Sequence, residues 1–383
     1  MKTVRDAEVT GKKILLRVDY NVPLDQSGAI ADDNRIVETI PTIEWLLRHN
    51  VEQIIILTHF ARPQGKVNEA MRLSPVVARL SEVLKRKKLI SGGRVISKSF
   101  EEKSPVLNRR YYVGRSITVL ENLRFDSGEE ENSVSFAKKL ACCGDIYVND
   151  AFATSHRSHA SLVAITKLLP SFAGLLLADE LKHLTPVLKE QEKPFVAVIG
   201  GAKIKDKIPI INLLRKKADT VILGGKTAND YYAVLTEPVE KVVFPTDGVD
   251  ERGRIVKFTQ DIVKKTPPMD IGPDTIVRYK TILKQAKTVF WNGTLGVAEN
   301  KKFCHGSYEI ARFIANLRAT TIASGGDTAR ILDKLNIKER YSFVSTGGGA
   351  ASEFLIGRSL PGLIALEENA GIKPENVARS TCQ

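Results

Sequence analysis

Short apolar runs rich in β-branched residues recur along the whole chain, and most are separated by longer segments with a helical period. The runs cover residues 14–18, 53–57, 117–120, 146–148, 195–199, 220–223, 288–291, 320–323 and 342–344. Between them, helix-like segments span 36–48, 76–88, 133–141, 208–217, 275–285 and 308–317. Strand alternating with helix predicts parallel sheets covered on both faces. At 383 residues the chain is too long for one ordinary domain, since domains average ~150 residues. The expected architecture is α/β, two Rossmann-like domains, each a parallel sheet flanked by helices, facing each other across a hinged cleft. The expected boundaries are 1–170 for the first domain, 171–190 for an interdomain helix and hinge, and 191–365 for the second domain. Residues 366–383 form a C-terminal segment that returns to the first domain and carries an extra tail.

In such sheets ligands sit beyond the carboxyl ends of the strands, so the residues just after each run are the informative ones. They divide into two kinds. After the early runs come Asp19 and Asn21, then His59 and Arg62, Arg124, and finally Asn149, Asp150, His156 and Arg157. After the later runs come Gly200-Gly201-Ala202-Lys203, Gly224-Gly225, Asn292-Gly293, Gly325-Gly326-Asp327 and Gly347-Gly348-Gly349. The first set offers side chains that grip a small anion, and guanidinium groups suit phosphate and carboxylate oxygens. The second offers bare backbone, whose N–H groups at helix starts cradle phosphates. One domain is thus expected to hold an acidic substrate and the other a nucleotide.

Composition narrows the alternatives. Lys and Arg number 57 against 44 Asp and Glu, a net charge of +13, which favours an anionic partner. The excess is spread over both halves, and its one dense run, Lys85 to Lys88, reads as a solvated helix end. The first residues lack the apolar core of a signal peptide. The longest nearly apolar run, residues 168–178, is broken by Pro170 and Gly174 and falls short of the ~20 residues of a membrane span. Cys142, Cys143, Cys304 and Cys382 contain no Cys-x-x-Cys, and an adjacent pair rarely bridges, so a reducing compartment, the cytoplasm, is expected.

Several strings imitate known motifs without completing them. Gly225-Lys226-Thr227 looks like the end of a P-loop, but Thr220 stands where its first glycine belongs. The triple glycine 347–349 has Ser352 in place of the third glycine of a dinucleotide fingerprint. His156 and His159 lack the partners of a zinc site. Asp327 fits either a helix N-cap or a magnesium-side carboxylate.

Taken in order, the longer strings resemble phosphoglycerate kinases. They are Arg17-Val18-Asp19-Tyr20-Asn21-Val22-Pro23, Leu120-Glu121-Asn122-Leu123-Arg124-Phe125, and Asn149-Asp150-Ala151-Phe152 running on to His156-Arg157. The second half adds Gly200 to Lys207, Asp270-Ile271-Gly272-Pro273, Trp291-Asn292-Gly293, Gly325-Gly326-Asp327-Thr328 and Ser345 to Ala350. The similarity runs from about Val9 to Glu368.

The resemblance implies reversible phosphoryl transfer from 1,3-bisphosphoglycerate to MgADP, giving 3-phosphoglycerate and ATP, by direct in-line transfer after domain closure. It implies that Asp19, Asn21, Arg35, His59, Arg62, Arg124 and Arg157 bind the phosphoglycerate. Gly201, Ala202, Lys203, Lys207, Gly225, Asn292, Gly296, Val297 and Glu299 would surround the nucleotide, with Glu299 on the ribose. Asp327 would approach Mg2+ and Thr328 the phosphates. Arg35 and Lys203 would stabilise the group in transit, aided by helix starts after Gly326 and Gly349. The same resemblance implies a monomer with no nucleic-acid or membrane partner. Departures cluster near the nucleotide: Lys226-Thr227 after Gly225, Thr294, Ala298 and Ser324, with Phe60-Ala61 and Ala153 elsewhere. They leave open a nucleotide-binding regulatory relative without turnover, while +13 alone leaves open a nucleic-acid binder with steep salt dependence.

Overall fold

The computed structural model describes the chain apart from residues 92–94, 190, 203 and 370–383. It divides into two compact units, Met1–Glu180 with Ser359–Gln383, and Leu181–Arg358.

In the first unit, β1 (Lys13–Arg17), β2 (Gln53–Leu57), β3 (Ile96–Ser99), β4 (Arg109–Val113), β5 (Ile117–Leu120), β6 (Ile146–Asn149) and β7 (Ser171–Ala173) build one sheet, ordered β3-β4-β5-β2-β1-β6-β7. From β5 to β7 every pair is parallel, whereas β3-β4 and β4-β5 are antiparallel. The expected parallel sheet therefore carries an antiparallel edge. Its cause is local: Gly114, at φ +67°, turns β4 back into β5 within three residues, too few for a crossover helix.

Helices α1 (Asn34–Val37), α2 (Ile40–Arg48), α3 (Ser74–Arg86), α4 (Ser127–Glu130), α5 (Val134–Ala141) and α6 (Leu175–Leu188) lie between these strands or follow them. α2 and α3 each start with proline in the first turn, where its missing N–H costs nothing. In α3, Val76, Val77, Leu80, Val83 and Leu84 form a buried stripe at helical spacing. They pack with Ile14, Leu16, Val18, Ile54 and Ile56, alternate residues on one face of the sheet. Lys85 to Lys88 are exposed at the end of α3, where cations suit the helix dipole.

Asp150 follows β6 and is fully buried, with its Oδ1 accepting the Leu177 N–H at 3.1 Å in the first turn of α6. Burial raises its carboxyl from 3.8 to about 6, against hydrogen bonds that pull it down. Because the folded value lies above the unfolded one, the folded state gains stability as pH falls from about 6 toward 4, and loses it in the opposite direction. Asp150→Asn should therefore be more favourable, relative to wild type, at pH 8 than at pH 4.5. Thermal unfolding of both chains at the two pH values checks this, and an identical difference at both would remove the buried charge from the account.

In the second unit, β8 (Phe195–Ile199), β9 (Thr220–Leu223), β10 (Val242–Val243), β14 (Thr288–Asn292), β15 (Thr320–Ser324) and β16 (Phe343–Ser345) form an all-parallel sheet, ordered β10-β9-β8-β14-β15-β16. A small antiparallel sheet of β11 (Asp247–Val249), β12 (Ile255–Lys257) and β13 (Asp270–Ile271) stands apart from it. The helices are α7 (Ile204–Lys217), α8 (Gly225–Ala233), α9 (Gln260–Lys265), α10 (Pro273–Leu283), α11 (His305–Ile314), α12 (Gly326–Lys334) and α13 (Gly348–Leu355). Val196, Val198, Ile222, Val289, Trp291 and Ala323 from the strands, with Tyr279, Ile310 and Ile331 from helices, make its core. The chain then re-enters the first unit through α14 (Pro361–Glu368), which packs on β7 and on the 3-10 turn Ala164–Lys167, with Gly362 N–H donating to the Ser155 carbonyl at 2.9 Å.

Candidate functional site

The carboxyl ends of β1, β2 and β5 bring several of the expected substrate residues together. Asp19 lies just past β1, 7% exposed, and its Oδ2 accepts from the Arg35 guanidinium of α1. Its Oδ1 accepts the Asn21 N–H at 3.0 Å and lies 3.8 Å from His59 Nε2. Asn21 Oδ1 accepts the Ala61 N–H at 2.9 Å, while Arg124 Nη1 donates to the Ala61 carbonyl at 2.8 Å. The backbone of Ala61, just before Arg62, is thus held at both its N–H and its carbonyl. The Arg62 side chain itself is exposed, as is that of Arg157 in the turn after β6.

Beneath the cluster lies a charged network that sequence reasoning missed. Arg17, the last residue of β1, is completely buried. Its Nε donates to Ser161 Oγ at 2.8 Å, one terminal nitrogen donates to the Val18 carbonyl, and the other lies 3.8 Å from Glu129 and 3.4 Å from His59 Nδ1. Glu129, also fully buried, accepts from Ser161 N–H at 3.0 Å and Ser161 Oγ at 2.6 Å and faces His159 at 3.6 Å. His159 is thereby accounted for within the fold. The available signal was Arg17 itself, since a charge inside an otherwise apolar parallel strand requires a buried partner.

His59 is 2% exposed, and burial, followed by the charges of Arg17, Arg124 and Arg35, holds its imidazole well below the ordinary value. The ring is neutral at pH 7. With Arg17 donating to Nδ1, the proton sits on Nε2, on the Asp19 side. Burial likewise lowers Arg124, which nevertheless stays charged and pairs with Glu130 at 3.3 Å. The corner presents the guanidinium groups of Arg35 and Arg124, the Asp19 carboxylate and a neutral imidazole.

In the second unit the ends of β8, β9 and β14 press their backbones together. Gly200 N–H donates to the Asn292 carbonyl at 3.0 Å, Gly201 N–H to the Thr294 carbonyl at 2.8 Å, and Gly225 N–H to the Leu295 carbonyl at 2.9 Å. Gly293 sits at φ +95°, and a Cβ there would lie 2.3 Å from the Gly200 carbonyl oxygen, so no other residue fits. Its N–H donates to Thr328 Oγ1 at 2.8 Å, which ties β14 to the start of α12. Lys207, one turn into α7, reaches Asn292 Oδ1. Ala202 is exposed, and Lys203 lies outside the described residues.

Gly225, Lys207, Asn292 and Thr328 are therefore gathered, whereas Val297 and Glu299 stand exposed on the following loop. Gly296 turns toward Asp270, whose Oδ1 would meet a Cβ there at 2.2 Å. Burial raises Asp270 to about 7, while the Gly306 and Ile271 amides bond to it. A small cavity lined by Gly225, Asn229, Asp247, Asp270 and Leu295 adjoins these strands. The P-loop-like string has a plain structural use: Lys226 pairs with Asp230 at 2.7 Å, and Thr227 is buried with its hydroxyl on the Gly201 carbonyl at 2.9 Å.

The starts of α12 and α13 differ from those tight strand ends. A Cβ at Gly326 or Gly349 would meet nothing within 4 Å, so space is open beside both helix starts. Asp327 is half-exposed in the first turn of α12 and pairs with Arg330 in the same helix, a weak surface pair. On the sequence expectation that a nucleotide phosphate sits at the start of α12, Gly326→Ala should leave the unfolding temperature unchanged and weaken nucleotide binding about tenfold or more, because the added methyl enters open space there. Gly293→Ala, in contrast, should unfold at a markedly lower temperature. Calorimetry and nucleotide titration on both chains separate these outcomes.

A family model described as phosphoglycerate kinase matches residues 4–260 and 236–358. The chain is 41% identical to the phosphoglycerate kinase of Thermomicrobium roseum, over 97% of this chain and 100% of that protein. Among solved structures, phosphoglycerate kinase from Coxiella burnetii aligns with a TM-score of 0.77 at 31% identity, covering 96% of this chain and 99% of the other. The Pyrococcus horikoshii enzyme aligns with a TM-score of 0.79 at 28% identity and the same coverage. On these matches, and with an α/β fold of parallel-sheet units, the chain belongs to the phosphoglycerate kinase family of phosphotransferases.

Proposed function

We propose that the protein catalyses reversible, Mg-dependent phosphoryl transfer from 1,3-bisphosphoglycerate to ADP, giving 3-phosphoglycerate and ATP, as a cytoplasmic monomer. The convergence of Asp19, Arg35, His59 and Arg124 on one corner carries this reading, because it sets two guanidinium groups and a neutral imidazole around one carboxylate, a set that suits an anionic substrate. In the ATP-consuming direction the nucleophile is a carboxylate of 3-phosphoglycerate, ionised at pH 7. Catalysis then rests on position and on neutralising charge in the transition state.

Arg35, Arg62, Arg124 and Arg157 bind the phosphate and carboxylate oxygens of phosphoglycerate, with Asp19 and Asn21 orienting its hydroxyl end. His59, being neutral, donates a hydrogen bond and takes no proton at pH 7. On the other unit Gly201, Ala202, Lys207, Gly225, Asn292, Gly296, Val297, Glu299 and Thr328 surround the nucleotide. Lys203 and Arg35 stabilise the group in transit, and the amides at Gly326 and Gly349 add donors. Asp327, a half-exposed carboxylate beside those amides, suits a magnesium ion, which takes one or two carboxylates and leaves its other positions to phosphates. When bound, that ion would offset phosphate charge. Because the two residue sets belong to different units, turnover requires those units to close and exclude water, which protects the acyl phosphate.

A coupled assay with 3-phosphoglycerate and MgATP tests the reading. Turnover that depends on both substrates is expected. Binding of nucleotide without turnover would instead identify a regulatory relative, and salt-sensitive binding of nucleic acid would point away from both.

A further inference from the structure

The two residues before Arg62 lie past the end of β2, yet side chains hold all four of their backbone polar groups. Ala61 N–H donates to Asn21 Oδ1, and its carbonyl accepts from Arg124, as described above. Phe60 N–H donates to Asn122 Oδ1 at 3.1 Å, and its carbonyl accepts from Asn122 Nδ2 at 2.7 Å. Asn122 stands two residues past β5 and is completely buried. Its Nδ2 also donates to the Met71 carbonyl at 2.9 Å, and its Oδ1 also accepts the Arg124 N–H at 3.2 Å. Two donors and two acceptor sites of one amide are thus all used. One buried group ties both ends of the segment 60–71 to the end of β5.

We propose that Asn122 is a positioning residue for Arg62: it clamps the segment 60–71 so that Arg62 is set beside Asn21 and Arg124 before substrate arrives. The inference rests on reading that corner as the phosphoglycerate site. The backbone supports it. Ala61 sits at φ +54° and Gln64 at φ +56°, a left-handed region that such residues hold only where their surroundings fix them. Pro63 biases Arg62 toward extended backbone from the other side. The Arg62 side chain is exposed, so the fold can set only the point and direction in which it leaves the chain, and these contacts set both. No other side chain of this size serves. Aspartate keeps the two acceptor contacts but turns a carboxylate toward the carbonyls of Phe60 and Met71, and leucine leaves four backbone groups without their partner.

Steady-state kinetics and amide hydrogen exchange on the full chain test the proposal. In Asn122→Ala the KM for 3-phosphoglycerate should rise about tenfold, while the KM for MgATP stays within about twofold. A purely structural role would lower the unfolding temperature and the active fraction, hence kcat, and leave both KM values unmoved; that outcome would overturn the proposal. Asn122→Asp should show the same split and serves where the alanine variant does not fold. Placed on an Arg62→Ala background, Asn122→Ala should add less than about twofold to the KM for 3-phosphoglycerate, because the residue it positions is already gone. A full tenfold rise in both backgrounds would overturn action through Arg62.

Hydrogen exchange reads the clamp without turnover. Amides within residues 59–72 should exchange at least tenfold faster in Asn122→Ala than in wild type, since a released segment opens more often. Unchanged exchange there would overturn the clamp whatever the kinetics. Faster exchange in a protein whose wild type does not turn over 3-phosphoglycerate would leave the clamp standing and overturn the phosphoglycerate reading instead.

Discussion

Arg35→Ala should lower turnover by ~10²–10³-fold, as loss of one preorganised donor to a developing charge does, and leave nucleotide affinity within about twofold. The asymmetry follows from where the side chain sits. Arg35 lies on α1 in the first unit and touches Asp19, while every residue assigned to the nucleotide lies in the second. Its removal also leaves the Asp19 carboxylate facing a neutral His59 without its strongest counter-charge, so an incoming phosphate meets net repulsion. Stability should change little, because the guanidinium is 35% exposed and such pairs contribute only ~0–1 kcal/mol. Arg35→Lys should recover little, since an ammonium lacks the planar fork of donors that suits phosphate oxygens. Coupled kinetics and a nucleotide titration on each variant check these outcomes, and an equal loss of nucleotide affinity would remove Arg35 from the assigned role.

The same corner explains how much of the molecule was legible in its sequence. Residues 14–18, 53–57 and 117–120 announced themselves because strands buried on both faces must be apolar throughout, and Asp19, His59 and Arg124 follow them or lie close behind. β3 and β4 left no such trace: Ile96–Ser99 is exposed along its length, and Arg109–Val113 begins with two arginines. The strands of the small antiparallel sheet, two or three residues long, are too short for any period to show. Of Glu129, Glu130 and Glu131, only the first is buried, and nothing in that acidic run distinguishes it; the distinction arises from Arg17, 112 positions earlier. Glycines gave the opposite case, since Gly200, Gly224 and Gly293 appear as punctuation in sequence and prove to be the places where three strand ends touch.

Glu129 carries the second large effect. Burial works to raise its carboxyl, but hydrogen bonds from His159 and Ser161 and the charge of Arg17 hold it below the ordinary value. It is therefore a buried anion that the fold keeps charged, and its partner Arg17 is equally inaccessible. Removing one member of such a pair leaves the other unpaired in a low dielectric, at a cost of ~3–5 kcal/mol. Glu129→Ala should unfold several degrees below wild type, whereas Glu131→Ala, on the surface, should not. Replacing both ends with apolar side chains, Arg17→Met with Glu129→Leu, should cost less than the sum of the two single changes. The double variant should still lose activity, because His59 loses the donor that sets its tautomer. Since the folded carboxyl lies below the unfolded one, its contribution is present above about pH 4.5 and fades as pH falls through the folded value. The deficit of Glu129→Ala should accordingly narrow as denaturation is repeated at progressively lower pH. A deficit that stays constant into acid would mean that Glu129 stabilises the fold by packing alone, and that the ion pair beneath the substrate corner contributes nothing.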